Sequence, residues 1–169
     1  MGDRLGTLKP QPLWDIFEEM SARPRPSKKE EAVVEYVLEF CETNALDYQR
    51  DEAGNIIIKV PATPGFEDKK TVVLQGHLDM VCEKNSDVEF DFDIEGIRPF
   101  IDGEWVKAEG TTLGADNGIG AAAALAVAID ETIEHGPLEI LLTLDEETGL
   151  TGATNLAEGL LEGQILLNL

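Results

Sequence analysis

The sequence predicts an α/β fold in which helices pack on a mostly parallel central sheet. Three short apolar runs, at residues 71–74, 138–144 and 164–169, are typical of strands buried in a parallel sheet. Helical patterns precede and separate these runs, and strands that alternate with helices build such sheets. The chain of 169 residues is long enough for one domain with a sizeable core.

Four helices are predicted from periodicity and from their boundary residues. Residues 12–22 carry apolar side chains at the spacing of one helical face, namely Leu13, Ile16, Phe17 and Met20. Two prolines end this helix, and Ser27-Lys28-Lys29-Glu30 has the form of a capping box that begins a second helix, running to about residue 44. The Ala-rich stretch 117–130 predicts a third helix, and residues 151–161 a fourth.

Two hairpins complete the predicted secondary structure. Residues 48–51 and 56–60 are strand-like and flank a turn at 53–55. Residues 100–108 hold an Asp102-Gly103 turn between two short strands.

Composition excludes several classes of protein. A formal charge of −21 argues against binding nucleic acid phosphates or an anionic membrane surface. The N-terminus lacks the apolar segment of a secretory signal, and the longest apolar stretch, 121–129, is too short to span a bilayer. Two cysteines cannot form a disulfide framework. We therefore expect a soluble cytoplasmic protein with Cys41 and Cys82 as free thiols.

The charge is unevenly distributed along the chain. Residues 1–107 carry all 13 Lys and Arg together with 23 acids, whereas residues 108–169 carry 11 acids and no Lys or Arg. Protein surfaces usually mix both signs. The acidic stretch is therefore either a solvated face, or some of its acids point inward at a cation such as a metal ion.

His77 and Asp79 follow the strand predicted at residues 71–74. An imidazole in such a place can bind a metal while a nearby carboxylate fixes its tautomer through the other ring nitrogen. A structural histidine would give the same short pattern, so the pair alone leaves both interpretations open.

Three successive acids, Asp145, Glu146 and Glu147, follow the strand predicted at 138–144. Adjacent carboxylates repel one another unless they are solvated or bound to a cation. They form either an acidic turn or a functional pair in which one carboxylate binds a metal and its neighbour acts as general base for water.

A glycine-rich loop, residues 110–120, contains a single acid, Asp116. Asp116 could cap the helix that follows or bridge two metal ions, and the loop lacks the Gly-Lys-Ser/Thr sequence of a phosphate-binding Walker loop. Because active sites of such sheets form beyond the carboxyl ends of the strands, His77, Asp116 and Glu147 would meet at one edge. Their donor atoms suit Zn²⁺ or Mn²⁺.

The whole chain resembles the N-terminal part of the aminoacyl-histidine dipeptidases, which belong to the zinc exopeptidase family that includes aminoacylase and carboxypeptidase G. The motifs that carry the resemblance are long and extend from end to end. They are residues 12–17 (PLWDIF), 76–81 (GHLDMV), 101–108 (IDGEWVKA), 110–120 (GTTLGADNGIG), 135–139 (HGPLE) and 146–149 (EETG).

The resemblance implies a dinuclear metallopeptidase that hydrolyses unblocked dipeptides, including Xaa-His types. In that family pattern His77 and Glu147 each bind one of two divalent ions, most often Zn²⁺, with Mn²⁺ or Co²⁺ as alternatives. Asp116 bridges both ions and is joined to the next residue by a cis peptide, and Asp79 orients His77. The metals polarise the scissile carbonyl and acidify the attacking water, while Glu146 is general base and acid.

The family pattern also needs two ligands that residues 1–169 do not supply, namely an acid just after the strand that begins at Gln164 and a distant downstream histidine. His135 is not expected to serve, because it lies at the opposite end of its strand from Glu147. The apolar run ending at Leu169 would be an exposed edge strand.

We therefore expect residues 1–169 to be the N-terminal part of a metallopeptidase catalytic domain, without the lid and dimerisation domain of the homodimeric enzyme or the C-terminal part. Weak metal binding and little activity are expected of this chain alone. The alternatives are a related deacylase or tripeptidase, and a non-catalytic acidic interaction module with the same fold.

Overall fold

The computed structural model describes residues 5–169. The first four residues, part of the segment predicted to carry no secretory signal, lie outside that range. The strands are β1 (Asp47–Arg50), β2 (Ile56–Val60), β3 (Val72–His77), β4 (Pro99–Asp102), β5 (Trp105–Ala108), β6 (Leu138–Thr143) and β7 (Ile165–Asn168). The α-helices are α1 (Gln11–Ser21), α2 (Glu31–Thr43), α3 (Ala115–Ile129) and α4 (Thr151–Thr154), preceded by a 3₁₀ turn at Leu5–Thr7.

Five strands form one sheet in the order β1-β2-β6-β3-β7, and β4 pairs with β5 in a separate hairpin. β3 is parallel to both of its neighbours, with Val72 opposite Leu138 on one side and Ile165 on the other. β2 is antiparallel to β1 and to β6, so it is the one reversed strand of this sheet. The predicted fold class is confirmed, and the carboxyl ends of β3, β6 and β7 share one edge.

The two faces of the sheet are covered differently. Helices α1, α2 and α3 bury one face, where Ile56 and Ile58 of β2 join the main core. Ile57 points to the opposite face, where partly buried Leu156, Leu160 and Leu161 cover a smaller apolar cluster. This alternation is the two-residue period of a strand. No helix within residues 5–169 is long and apolar enough to cross a membrane.

Two predictions about helices are wrong. The helix predicted at 151–161 ends at Thr154, and the segment after it is irregular, with Gly159 at a φ of +77°, so that its leucines can lie over the second face of the sheet. The predicted capping box does not form: α2 begins at Glu31, and no side chain caps its first turn. Ser27 and Glu30 make other hydrogen bonds, described below.

Some acidic side chains of residues 108–169 are buried. Glu139 is 3% exposed, and its carboxylate accepts the backbone N–H groups of Glu162 and Gly163. Strand β7 has the composition of a buried strand but is exposed along its length, as expected for an apolar edge strand, with Leu166 57% exposed. Among the strands of residues 5–169, β7 pairs with β3 only.

Gly152 in α4 packs directly against the end of β6. Its N–H donates to the carbonyl of Leu144 (2.9 Å), and its carbonyl accepts the side-chain amide of Asn55 (2.9 Å). A Cβ at this position would lie 2.5 Å from the Leu144 carbonyl oxygen and 2.7 Å from the Leu144 nitrogen. These are backbone atoms, so they cannot yield as a flexible side chain would.

We expect Gly152→Ala to lower the free energy of unfolding by about 1–3 kcal/mol, because the added methyl group overpacks a fixed backbone. Gly149→Ala is the matched control, since a Cβ there would meet no atom within 4 Å. Urea denaturation of both variants measures the effect, and equal losses for the two would contradict this packing.

Candidate metal centre

The carboxyl ends of two parallel strands and the first turn of α3 bring the predicted site residues together. His77 is the last residue of β3, Glu147 lies shortly after β6, and Asp116 lies at the start of α3. One possible ligand atom from each of these three side chains lies within 4.8 Å of the other two. Imidazole nitrogen and carboxylate oxygens are a donor set that can hold a divalent metal ion.

The buried carboxylate of Asp79 organises this edge of the sheet. Asp79 has no exposed surface, and its oxygens accept hydrogen bonds from the Ser27 hydroxyl (2.7 Å) and from the backbone N–H groups of Glu146 (3.0 Å) and Glu147 (3.1 Å). The Nδ1 of His77 lies 3.2 Å from Asp79 Oδ1. Burial acts to raise the pKa of this carboxyl, but the hydrogen bonds outweigh it and hold the pKa well below its usual range.

The ionised Asp79 accepts a hydrogen bond from His77. A carboxylate can only accept, so Nδ1 donates a proton to Asp79, and Nε2 faces the site. Nε2 lies 3.1 Å from Asp116 Oδ1 and 3.9 Å from Glu146 Oε2. Two ligands of one Zn²⁺, each about 2.0–2.2 Å from the ion, lie at a separation similar to the first of these distances. His77 and Asp116 therefore fit a shared metal ion.

Negative charge is concentrated around the site. Burial raises the pKa of the Glu147 carboxyl, and the charges of Asp116, Glu146 and Asp79 add to this effect while His77 opposes it. Burial acts to lower the pKa of His77, but its contacts with Asp79, Asp116 and Glu146 outweigh burial and raise it. Both shifts favour the protonated form of the group, in agreement with the surrounding negative charge.

The start of α3 is irregular where Asp116 projects. Gly114 occupies the N-cap position, so the interpretation of Asp116 as a helix cap is wrong. Asp116 and Asn117 have non-helical backbone angles and are joined by a cis peptide, as the resemblance implied. The Asp116 side chain is 84% exposed, and the amide nitrogen of Asn117 donates to the carbonyl of Leu169 (2.5 Å) at the end of the sheet.

The loop after β6 is held by side chains for which the sequence predicted other roles. Asp145 is 6% exposed; its N–H donates to Glu30 Oε1 (2.9 Å), and its carboxylate accepts the hydroxyls of Thr148 and Thr151. Burial raises the pKa of the Glu30 carboxyl, partly offset by the hydrogen bond from Asp145. Asp145 thus points away from the site, and only Glu146 and Glu147 of the three successive acids face it.

Sequence reasoning missed the segment between α1 and α2. Ser27 was assigned to a capping box but donates to Asp79, and Arg25 was considered only as part of a helix break. The one available signal was two polar residues beside prolines in a short connection, which has no distinctive spacing.

His135 lies in a loop, where its N–H and carbonyl bond to Thr63, and it is not part of the candidate metal group, as expected. Cys41 and Cys82 are free thiols.

The fold brings together residues that could hold a metal ion, and comparison with known families assigns the class of the protein. Residues 73–167 match the model of peptidase family M20/M25/M40. Since the match covers more than half of the chain, the protein belongs to this peptidase family.

Two relatives are similar over nearly the whole chain. Cytosol non-specific dipeptidase of Escherichia coli (strain K12) is 54% identical over 164 residues, which cover 97% of this chain and 34% of that protein. The crystal structure of aminoacylhistidine dipeptidase from Vibrio alginolyticus superposes with a TM-score of 0.96 at 54% identity, covering 98% of this chain and 34% of the other. This chain thus spans about a third of the length of either relative.

A third relative shares the fold at lower identity. A tripeptidase from Staphylococcus aureus superposes with a TM-score of 0.77 at 24% identity, covering 94% of this chain and 42% of that one. At this identity the similarity concerns the fold alone.

We expect Asp79→Asn to lower the free energy of unfolding at pH 7 by about 1–3 kcal/mol, because an amide cannot accept all the hydrogen bonds that converge on Asp79. The folded pKa of Asp79 lies below the unfolded value of about 3.9. Its contribution is therefore complete above pH 3.9 and is lost as the pH falls through the folded pKa. Urea denaturation should show a smaller difference between wild type and variant at pH 2.5 than at pH 7.

Asp68→Asn is the control for this pH series, because Asp68 is an exposed loop residue. Its stability should follow that of wild type at both pH values. An Asp79→Asn difference that stays constant between pH 7 and pH 2.5 would contradict the role assigned to the ionised carboxylate.

Proposed function

We propose that this chain is the N-terminal part of the catalytic domain of a metal-dependent dipeptidase that acts on unblocked dipeptides, including Xaa-His types. The observation that carries the proposal is the convergence of His77, Asp116 and Glu147 on one point, with Glu146 beside them. Membership of peptidase family M20/M25/M40 and 54% identity to proteins named as dipeptidases support the substrate class.

The residues proposed as metal ligands are His77, Asp116 and Glu147, and the proposed metal is a pair of Zn²⁺ ions. The carboxylate of Asp116 is exposed and has a second oxygen, which suits a bridging position. Three side chains are too few for two complete coordination shells. The remaining ligands would come from a region that corresponds to the part of the relatives not matched by residues 1–169.

The proposed chemistry assigns separate tasks to the two adjacent glutamates. A bound divalent ion would polarise the scissile carbonyl and increase the acidity of water. Glu146, whose side chain is 33% exposed and whose carboxylate lies 3.9 Å from His77 Nε2, would take a proton from the attacking water and pass it to the departing amine. Glu147 and Asp116 stay ionised as ligands, and Asp79 keeps His77 in the tautomer that presents Nε2.

The experiment that tests this function compares two variants, Asp116→Ala and Glu146→Gln. Asp116→Ala removes a proposed ligand and should weaken Zn²⁺ binding to this chain at least tenfold, as measured by isothermal titration calorimetry. Glu146→Gln removes only the proposed base, so Zn²⁺ affinity should change little. In a protein that spans the full length of the dipeptidase relatives, Glu146→Gln should lower the rate of β-alanyl-histidine hydrolysis about 10²–10⁴-fold.

Glu131→Ala, at an exposed acid just after α3, is the control for a general loss of negative charge. It should bind Zn²⁺ as wild type does. Absence of Zn²⁺ from a protein that spans the full length of the dipeptidase relatives would favour a non-catalytic module, and retained hydrolysis in Glu146→Gln would exclude Glu146 as the base. Full turnover by the 169-residue chain alone would contradict the proposal that further ligands are needed.

A further inference from the structure

The most deeply buried cation of the described chain is Arg25, in the connection between α1 and α2. Its side chain is 2% exposed and donates only to backbone carbonyls. Nη1 donates to Leu78 (3.0 Å) and to Asp79 (3.4 Å), and Nη2 donates to Gly114 (2.6 Å). One guanidinium therefore bonds both to the turn after β3 and to the loop that leads into α3.

The backbone around Arg25 is shaped to admit the guanidinium. Gly114 has a φ of +69°, and a Cβ there would lie 2.5 Å from Nη2 of Arg25. A Cβ at Gly118 in α3 would lie 2.7 Å from the same nitrogen. The carbonyl of Arg25 also accepts the N–H of Met80 (3.2 Å), so the contact with the β3 turn runs in both directions.

Stability alone is a poor explanation for a charge in this place. Within residues 5–169 no carboxylate oxygen lies within 4.0 Å of the guanidinium, and the Nε atom has no hydrogen-bond partner. Burial lowers the pKa of Arg25 to about 10, which shows how strongly the surroundings disfavour the charge. A well-packed apolar side chain often stabilises a protein as much as a buried ion does.

Arg25 joins the two segments whose separation determines the metal site. The turn that it holds on one side carries His77 and Asp79, and the loop that it holds on the other side carries Asp116. At the site, His77 Nε2 of one segment lies 3.1 Å from Asp116 Oδ1 of the other. A planar guanidinium with several fixed N–H groups is suited to hold two backbone segments at a set distance.

We propose that Arg25 is a positioning residue of the metal centre, which fixes the distance between His77 on the β3 turn and Asp116 on α3 by bonding to the backbone of both segments. This inference rests on the metal site proposed above. Arg25 touches neither metal nor substrate, and its effect passes through the positions of the two ligands.

The test is Zn²⁺ titration of the folded chain by calorimetry, with Arg25→Met, Arg25→Lys and the control Arg23→Met. Arg23 is a partly buried arginine of the same connection that pairs with Glu19 (2.9 Å) and makes no contact with either ligand-bearing segment. Arg25→Met should bind Zn²⁺ about 10–100-fold more weakly than wild type, the range found when partners that orient metal ligands are removed. Arg23→Met should bind as wild type does.

Arg25→Lys keeps the charge but cannot reach both segments with a planar fork, so it should also lose affinity, and its Co²⁺ absorption spectrum should differ from that of wild type. If Arg25→Met fails to fold, Arg25→Lys decides the matter. Wild-type affinity and spectrum in a folded Arg25 variant would overturn the inference while leaving the metal site intact. Failure of wild type itself to bind Zn²⁺ would remove the metal site and this inference with it.

Discussion

The structure depends on one buried carboxylate that ties three distant segments together. Asp79 accepts hydrogen bonds from Ser27 before α2, from the backbone of Glu146 and Glu147 after β6, and from His77 at the end of β3. Charge-assisted bonds of this kind are stronger than neutral ones, and leaving any of these donors unpaired in a buried place would be costly. The same carboxylate that holds these loops also accepts a hydrogen bond from His77, so the packing of the loops and the candidate metal group share one interaction.

Much of the fold was predictable because buried strands and amphipathic helices leave periodic signals. The strands and the first three helices were found within a few residues, and the confirmed fold class follows from them. The helix predicted at 151–161 was wrong because its leucines cover the second face of the sheet from an irregular segment, which local propensity cannot distinguish from a helix. The apolar run that forms β7 is of a type usually buried, and its exposure agrees with the expectation that it would form an exposed edge strand.

The candidate ligands were predictable for a different reason. Because parallel strands end at one edge, polar residues after 71–74 and 138–144 had to approach one another. Arg25 and Ser27 gave no such signal, since their partners are backbone carbonyls and a carboxylate that lie more than 50 residues away. Hydrogen bonds of this kind depend on tertiary packing, and a single sequence carries no pattern for them.

The acidity of residues 108–169 has more than one physical origin. Glu139 and Asp145 are internal acceptors that satisfy backbone N–H groups and threonine hydroxyls, so they belong neither to a solvated face nor to a cation site, the two alternatives that composition left open. Asp116 and Glu147 belong to the group that could hold a metal ion, and Glu146 lies beside it. Of the eleven acids in this stretch, five therefore have internal or site roles, and the other six account for the surface charge.

The central claim is that Asp79 holds the proton of His77 on Nδ1 and so leaves Nε2 to bind a metal ion. Long-range ¹H–¹⁵N NMR of the imidazole rings tests it directly, because the chain has only two histidines and His135, far from the site, serves as the internal reference. In the zinc-loaded protein we expect a protonated Nδ1 and a metal-shifted Nε2 for His77, with His135 unchanged. A proton on Nε2 of His77, or a His77 spectrum that does not respond to zinc, would contradict the account.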